Sequence, residues 1–471
     1  MRRRFLNNIE AVDIEPEKNY FYVQALEDNC IAYLTNAQCS TNGIDWVRST
    51  SSISIKKGKK LYFKGNTTPS SSSGIGTFSI NKKCDIGGNI LSLLYDENFE
   101  GLNKIADKTY AFYKLFYNCS NIVNANKLEL PAIVLSNYCY AYMFYGCSNL
   151  ETYPLLPATT LANYCYTYMF YGCSKLITAP DLIASQVYDY SYNNMFYGCT
   201  SLIKIPSITA ATLGSYSCYR MFSNCTSLVD ASTLLISCDT VGEYSCQYMF
   251  YGCTNLTRVP RTLNPLRISA GCYSHMFYGC TSLTVMPQLP ATTLYNNCYA
   301  YMFYGCTSLT DIFKLPATTL ANYCYAYMFY GCTSLTFVPI DLLPATTLAN
   351  YCYTYMFYRC TRLEEAPDLP ATRLADVCYE SMFMYCTNLG YSPDLMAEEL
   401  TQNCYSYMFA GCTELHTITM LATSMPYTNS LLQWVNSVSR SGSFYKNSRI
   451  SEREFSRGTS GIPENWDVYD F

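Results

Sequence analysis

From about residue 110 to residue 420 the chain repeats one pattern of apolar and polar positions. The unit reads MFYGCTSLTxxPxLPATTLANYCYAY. Its anchor cysteine recurs at Cys119, Cys147, Cys173, Cys199, Cys225, Cys253, Cys280, Cys306, Cys332, Cys360, Cys386 and Cys412. The steps are 26 to 28 residues, which makes twelve units. After the cysteine, apolar residues hold offsets 0, +3 and +6 from a leucine, as in Leu309, Ile312 and Leu315, and +2 is usually polar. This predicts a short strand with its proline near the end, where a missing N–H does least harm. Next comes a segment such as Ala158-Thr159-Thr160-Leu161, whose threonines suit a helix N-cap. Leu161, Cys165, Tyr168 and Met169 then follow at i, i+4, i+7 and i+8, the apolar stripe of a helix. Gly146, Gly172, Gly198, Gly252, Gly279, Gly305, Gly331 and Gly411 close the stretch, with Asn118 and Asn224 in two further copies. Glycine and asparagine tolerate the left-handed conformation of a helix stop. Arg359 and Tyr385 occupy the same position and predict strained or altered turns there.

A period of this length with recurrent leucine lies in the leucine-rich-repeat range, where each unit supplies a strand and a short helix. The expected fold is an α/β leucine-rich-repeat solenoid of about twelve units over residues 111–419. Outside it the pattern changes. Residues 1–18 read as a polar arm. Residues 19–83 read as a small β-sandwich-like, all-β domain, with strands at Tyr20–Leu26, Ile31–Leu34 and Thr77–Ile80. Asn42-Gly43 predicts a hairpin, and a second one joins Ile53–Ile55 to Leu61–Phe63 through Lys57-Gly58. Residues 84–110 would cap the solenoid at its start. Residues 420–471 would cap its end, with an amphipathic helix at Leu431–Val435 and strands at Gly442–Tyr445 and Trp466–Tyr469.

Composition sharpens this picture. The chain holds 48 Tyr, 26 Cys and 2 His among 471 residues, and charged residues are only 14%. An ordinary soluble domain has about 25%. Each unit carries a second small residue eight positions before the anchor. It is Cys139, Cys165, Cys298 or Cys324 in some copies and Ser191, Ser217, Ser245 or Ala111 in others. This interchange asks for a small buried side chain and not for disulfides or a metal cluster. The tyrosines stack in register in two columns, one through Tyr140, Tyr166, Tyr299 and Tyr325, the other through Tyr145, Tyr171, Tyr304 and Tyr330. They are expected to pack laterally with their hydroxyls in water, or to form an aromatic surface for sugars or for a neighbouring chain. The lysines Lys56, Lys57, Lys59, Lys60 and Lys64 read as a solvated hairpin, and Asp96-Glu97-Asn98 as solvent-facing.

A net charge of −4 argues against nucleic acid, which needs a basic face. Two histidines, His275 and His416, argue against a histidine-based metal site or a Ser-His-Asp triad. No cofactor is expected. The start, Met1-Arg2-Arg3-Arg4-Phe5-Leu6, lacks the apolar run of a signal peptide, and no run of 18 apolar residues exists. The expectation is synthesis in a cytosol without membrane insertion.

Function should sit where copies differ. The +2 positions include Lys204, Asp230, Arg258, Asp311, Phe337, Glu365 and Tyr391, and Lys314 projects nearby from a strand end. Together they form the candidate ligand-binding strip of the concave strand face, suited to a protein or a glycan. Glycoside cleavage would need two carboxylates at a defined separation. The candidates are Asp230 with Asp239, and Glu364 or Glu365 with Asp368 or Asp394, whose charge Arg362 and Arg373 balance. Catalysis is not the expectation.

The motif Met302-Phe303-Tyr304-Gly305-Cys306-Thr307-Ser308-Leu309 resembles the BspA-like leucine-rich repeats, whose signature is AFxxCxxL. It departs from them by Met302 for alanine and by the Pro-Ala-Thr-Thr-Leu-Ala-Asn-Tyr-Cys-Tyr linker. That resemblance covers roughly residues 110–420 and implies surface adhesion and partner binding. The layout also resembles repeat proteins of tailed phages of gut anaerobes and of their hosts. It shares their MRRR start, a Lys-Leu-Tyr-Phe-Lys-Gly-Asn segment at residues 60–66 and a closing Gly-Ile-Pro-x-x-Trp-x-Val at Gly461 to Val468. This implies a virion fibre or tail-associated adhesin, made in the host cytoplasm, that recognises a host surface glycan or protein. It would meet other virion proteins through its N-terminal region and could form a homo-oligomer. The alternative implied is a bacterial cell-surface adhesin.

Overall fold

A computed structural model describes residues 16–51, 53–206, 208, 210–234, 241–263 and 267–471. The expected arm as far as residue 15, together with Cys238 and Asp239, lies outside them. Two compact units divide the chain. One comprises Met1–Leu202 and Pro206–Ile208; the other comprises Ile203–Ile205 and Thr209–Phe471.

The first unit opens with short strands: β1 (Phe21–Ala25), β2 (Cys30–Leu34), β3 (Gln38–Ser40), β4 (Val47–Arg48), β5 (Ser54–Ile55), β6 (Lys60–Lys64), β7 (Phe78–Ile80) and β8 (Cys84–Asn89). With β9 (Ile122–Glu129) they make a six-stranded sheet in the order β4-β3-β6-β1-β8-β9, and a second sheet runs β5-β2-β7. The Asn42-Gly43 hairpin is present, pairing Gln38 with Arg48 and Cys39 with Val47. The second expected hairpin is not. Its β5 pairs with β2, and β6 inserts between β3 and β1, because Leu61 and Phe63 gain full burial there. Lys64 is buried too. Its ammonium lies 3.1 Å from Asp96 and 2.7 Å from Glu97 and caps the Trp46 ring at 4.7 Å. Lys64, expected in water, is thus a buried cation, whereas its partner Glu97 is exposed and Asp96 only half-buried, as expected of a solvent-facing patch. The repeats begin on this framework, since β8 pairs in parallel with β9 of the first coil.

Among the described residues the expected helix of each unit is absent. The α-helix among the described residues is Ser92–Tyr95, one turn long. The repeat segment is instead a ribbon of consecutive turns. In one coil, Cys139, Ala141, Met143, Tyr145 and Cys147 each donate N–H to the carbonyl three residues back. The alternate amides of Tyr140, Tyr142, Phe144 and Gly146 donate to Cys165, Thr167, Met169 and Tyr171 of the next coil. Tyr138, Tyr142 and Gly146 have φ of 58°, 58° and 72°. A positive φ confined to the third residue marks a type II turn, so every second turn of the ribbon is of that type. The structural repeat is therefore four residues. Over one or two turns that is close to the 3.6 of a helix, and the apolar stripe fits both. What decides against the helix is the neighbouring coil, which takes half of the amide donors. Arg359 and Tyr385 do take the left-handed conformation, at φ 58° and 64°, the strain expected of them.

Behind the ribbon lies a core of stacked columns. In the first unit Phe144 stacks on Phe170 and Phe170 on Phe196, both at 5.5 Å. In the second, Phe250, Phe277, Phe303, Phe329 and Phe357 stack at 5.5–5.8 Å. Met302, Cys306 and Leu309 are fully buried beside Phe303, and their counterparts repeat this. Anchor thiols donate to the carbonyl of the phenylalanine one coil back: Cys147 to Phe116, Cys306 to Phe277 and Cys412 to Phe383, at 3.0–3.1 Å. The cysteines among the described residues are buried and outside any disulfide, so the small-residue reading of these columns holds. Burial pushes thiols such as Cys165 and Cys306 up to about 12.

The second unit continues the ribbon past Met420. Tyr405, Tyr407, Phe409 and Gly411 donate to Ser430, Leu432, Trp434 and Asn436, and Gln433 and Ser437 have φ of 53° and 62°. The segment expected as a helix at Leu431–Val435 is thus one more coil, with Trp434 and Val435 filling the methionine and phenylalanine columns. Three parallel strands follow the stack, Thr417–Met420, Gly442–Lys446 and Trp466–Asp470. Trp434 Nε1 donates to Gly461 and Trp466 Nε1 to Ser439, at 2.8 and 2.9 Å, which fixes both indoles over the last layer.

Candidate binding face

Opposite the ribbon, the coils are joined by isolated parallel β-bridges rather than by long strands. Lys204 pairs with Asp230 and Asp230 with Arg258; Val285 pairs with Asp311, and Tyr391 with Thr417. The apolar +0, +3 and +6 residues point inward and the +2 residues outward, as Leu309, Ile312 and Leu315 against exposed Asp311 illustrate. The second unit therefore brings the candidate strip together. Lys204, Arg258, Asp311, Lys314, Phe337, Glu365 and Tyr391 are exposed, and Asp230 is half-buried.

The strip has two electrostatic halves. Around Asp230 the charges are mutually engaged. Its carboxylate accepts hydrogen bonds from the Ser232 hydroxyl at 2.6 Å and the Ser232 amide at 2.9 Å, and Arg258 lies at 3.6 Å. These contacts, the Ser232 hydroxyl foremost and the cations Arg258 and Lys204 after it, hold the carboxyl below its usual range. That makes Asp230 an acceptor and a poor proton donor. From Asp311 onward the face is more apolar. Phe337, Ile340 and Tyr391 are 57%, 60% and 60% exposed. Phe313 and Lys314 join Gln288, Leu289, Pro290 and Pro316 in lining a shallow open depression. Lys314 is tied to Asp341 at 2.6 Å, and Asp341 is held below its usual range by that hydrogen bond. Among the described residues neither Arg362 nor Arg373 forms an ion pair with Glu364, Glu365, Asp368 or Asp394.

Ile340, Asp341 and Phe313 are face residues that pattern reading passed over. For Ile340 and Asp341 the signal was the copy length: the step from Cys332 to Cys360 is 28 residues, and the extra pair swells the strand end, where Leu342 closes a turn onto Pro339.

The ribbon side carries different chemistry. The Tyr140, Tyr166, Tyr299, Tyr325, Tyr353 and Tyr379 column is fully buried, at 1–2% exposure. Its hydroxyls do not reach water, and those of Tyr140, Tyr325 and Tyr353 have no partner. The expectation of wet hydroxyls is corrected for this column. It holds for the second, half-buried one. There Tyr251, Tyr278, Tyr304, Tyr330 and Tyr358 stack face to face at 4.2–4.9 Å. A parallel ladder runs through Tyr248, His275, Tyr301, Tyr327 and Tyr355 at 4.4–4.7 Å. Because each ring covers its neighbour, these ladders show solvent their edges. The faces that would stack on sugars are occupied, which removes the aromatic sugar platform as a reading of this side. Burial, with Arg220 nearby, pulls His275 down to about 4, and its Nδ1 meets the Ser274 hydroxyl at 2.7 Å. Glu380 stands where Thr354, Ala326 and Ala300 stand in preceding coils, and burial raises its carboxyl above the usual range.

No helix among the described residues is long and apolar enough to cross a membrane, and no group of three or more His, Cys, Asp or Glu there is placed to hold a metal ion. A family profile described as a BspA type leucine rich repeat region (6 copies) matches residues 109–257, 192–300, 245–390 and 296–436. Neither the curated proteins nor the solved structures yielded a match. The profile matches overlap from end to end of the repeats and span more than half of the chain, and they agree with the stacked coils and the anchor column of Phe303, Cys306 and Leu309: the chain belongs to the BspA type leucine-rich-repeat family.

Proposed function

We propose that this protein is a non-catalytic adhesin that grips its partner with the strip from Lys204 to Tyr391. The observation that carries this reading is the division of labour within each coil. The ribbon keeps the same residues from copy to copy, whereas the outward strand position reads Lys, Asp, Arg, Val, Asp, Phe, Glu and Tyr in successive coils. Such a surface, with exposed aromatic anchors amid charges of both signs, suits a surface protein or a glycan. The BspA type family favours adhesion. The MRRR start, the segment at residues 60–66 and the closing segment at Gly461 to Val468 favour a virion fibre or tail-associated protein that attaches a phage to its host. The bacterial cell-surface adhesin is the second reading, favoured by the same family membership.

Binding of the purified chain to a panel of intact gut anaerobes tests the adhesin. Saturable binding to some strains and not others, with no reducing sugar released, is the expected result. Release of sugar would replace the adhesin by a polysaccharide depolymerase. A mass-spectrometric inventory of purified phage particles separates the two locations: the chain among tail proteins supports the virion, and its recovery from cell envelopes alone supports the bacterial surface.

A further inference from the structure

The half-buried tyrosine ladder brings phenol rings of successive coils into close parallel contact. Tyr278, Tyr304, Tyr330 and Tyr358 stack with ring centres 4.4, 4.2 and 4.5 Å apart and planes within 3°, 7° and 12°. Each phenol ring of one coil therefore lies directly against the phenol ring of the next. All four rings are half-buried with their edges at the surface, so a soluble oxidant reaches them.

We propose that this ladder is a site of oxidative tyrosine coupling, in which one-electron oxidants of the kind that peroxidases generate from hydrogen peroxide join tyrosines of successive coils as dityrosine. Two phenols each lose one electron and the hydroxyl proton to give phenoxyl radicals. The radicals pair through their ortho carbons in a new C–C bond, and the two ortho hydrogens move to the oxygens and restore the phenols. The peroxide takes up the two electrons and two protons and leaves as two waters. A bond between Tyr304 and Tyr330 would close a loop of 26 residues, and one between Tyr330 and Tyr358 a loop of 28. Each bond would staple one coil to the next.

The protein contains its own control. The Tyr299, Tyr325 and Tyr353 column stacks in the same register but at 5.7 and 5.9 Å, fully buried. It should not couple.

The experiment treats the full-length chain with a haem peroxidase and hydrogen peroxide, isolates the monomer band and maps cross-linked peptic peptides by mass spectrometry. The expected result is dityrosine within the monomer, joining Tyr304 to Tyr330 and Tyr330 to Tyr358, with both links lost in Tyr330→Phe. That substitution keeps the stacked ring, so a variant that still melts like the parent but lacks these links supports the assignment. Dityrosine confined to dimers and larger species would overturn the proposal. So would links at Tyr299 and Tyr325 as abundant as those of the half-buried column, or a monomer with no links at all.

Discussion

In a single coil of the second unit the ribbon and the strand face meet opposite demands. The ribbon from Asn322 to Cys332 repeats nearly every residue of its neighbours, buries its phenylalanine, methionine and cysteine completely, and holds Tyr323, Tyr327 and Gly331 at positive φ. The bridge residues of the adjoining strand share only an outward direction. A left-handed tyrosine costs roughly 1–2 kcal/mol. The ribbon tolerates several per coil because the same conformation recurs in the next coil, where inter-coil amide bonds and ring stacking offset it. One altered copy breaks register with two neighbours. On the strand face a side chain meets mainly solvent, so the copies there are free to diverge.

Substitutions sharpen this contrast. The largest effect should come from Phe303→Ala, which removes a fully buried ring from between Phe277 and Phe329 and should cost about 3–5 kcal/mol in denaturant unfolding. A loss below about 1 kcal/mol would mean that the column is not a packed core.

Acid should act next, through His275. Its folded value near 4 lies below the roughly 6.5 of an unfolded histidine, so the unfolded chain binds the extra proton first. Its contribution to stability is present above about pH 6.5 and is lost as pH falls toward 4, by at most roughly 3 kcal/mol. In His275→Tyr, which restores the residue of the neighbouring ladder positions, denaturant midpoints should fall less over that window. Parallel profiles for the two proteins would remove His275 as the cause.

Gly331→Ala comes third. A methyl there meets only Gly305 Cα at 4.0 Å, so the cost is conformational, about 1–2 kcal/mol. Gly411→Ala should cost more, since its methyl would stand 2.4 Å from the Tyr385 ring. Equal losses at both sites would show that the ring simply moves aside. At the far end of the scale, Phe337→Ala and Glu365→Ala should each shift stability by no more than about 0.5 kcal/mol.

Sequence reading reached the register of the anchored coils and the outward strand positions because these depend on spacing, which the anchor cysteine reports directly. It misassigned the ribbon because a four-residue turn period and a helical period coincide over so short a stretch. A sign of the difference was present in Tyr, Cys and Asn, weak helix formers that fill the segment. The coil around Trp434 escaped because its cysteine, tyrosine and glycine anchors are replaced by Val438, Leu431 and Ser437, residues that serve the same columns without the same letters. The two tyrosine columns looked alike in sequence and differ in place. Tyr140 follows a buried cysteine and enters the core, whereas Tyr145 sits at the outer edge of the turn that Gly146 completes. Along the strip, the residue types were legible, but the engagement of Asp230 by Ser232 and Arg258 required three-dimensional neighbours.

The central claim, that the ribbon supplies the fold and the strand face supplies the binding, is tested most directly by one variant, Arg258→Ala with Phe337→Ala and Glu365→Ala. Binding to intact cells of a strain that takes up the parent chain is measured beside the melting temperature. The account predicts an unchanged melting temperature and a loss of binding of at least tenfold. Undiminished binding by a variant that melts like the parent would contradict it.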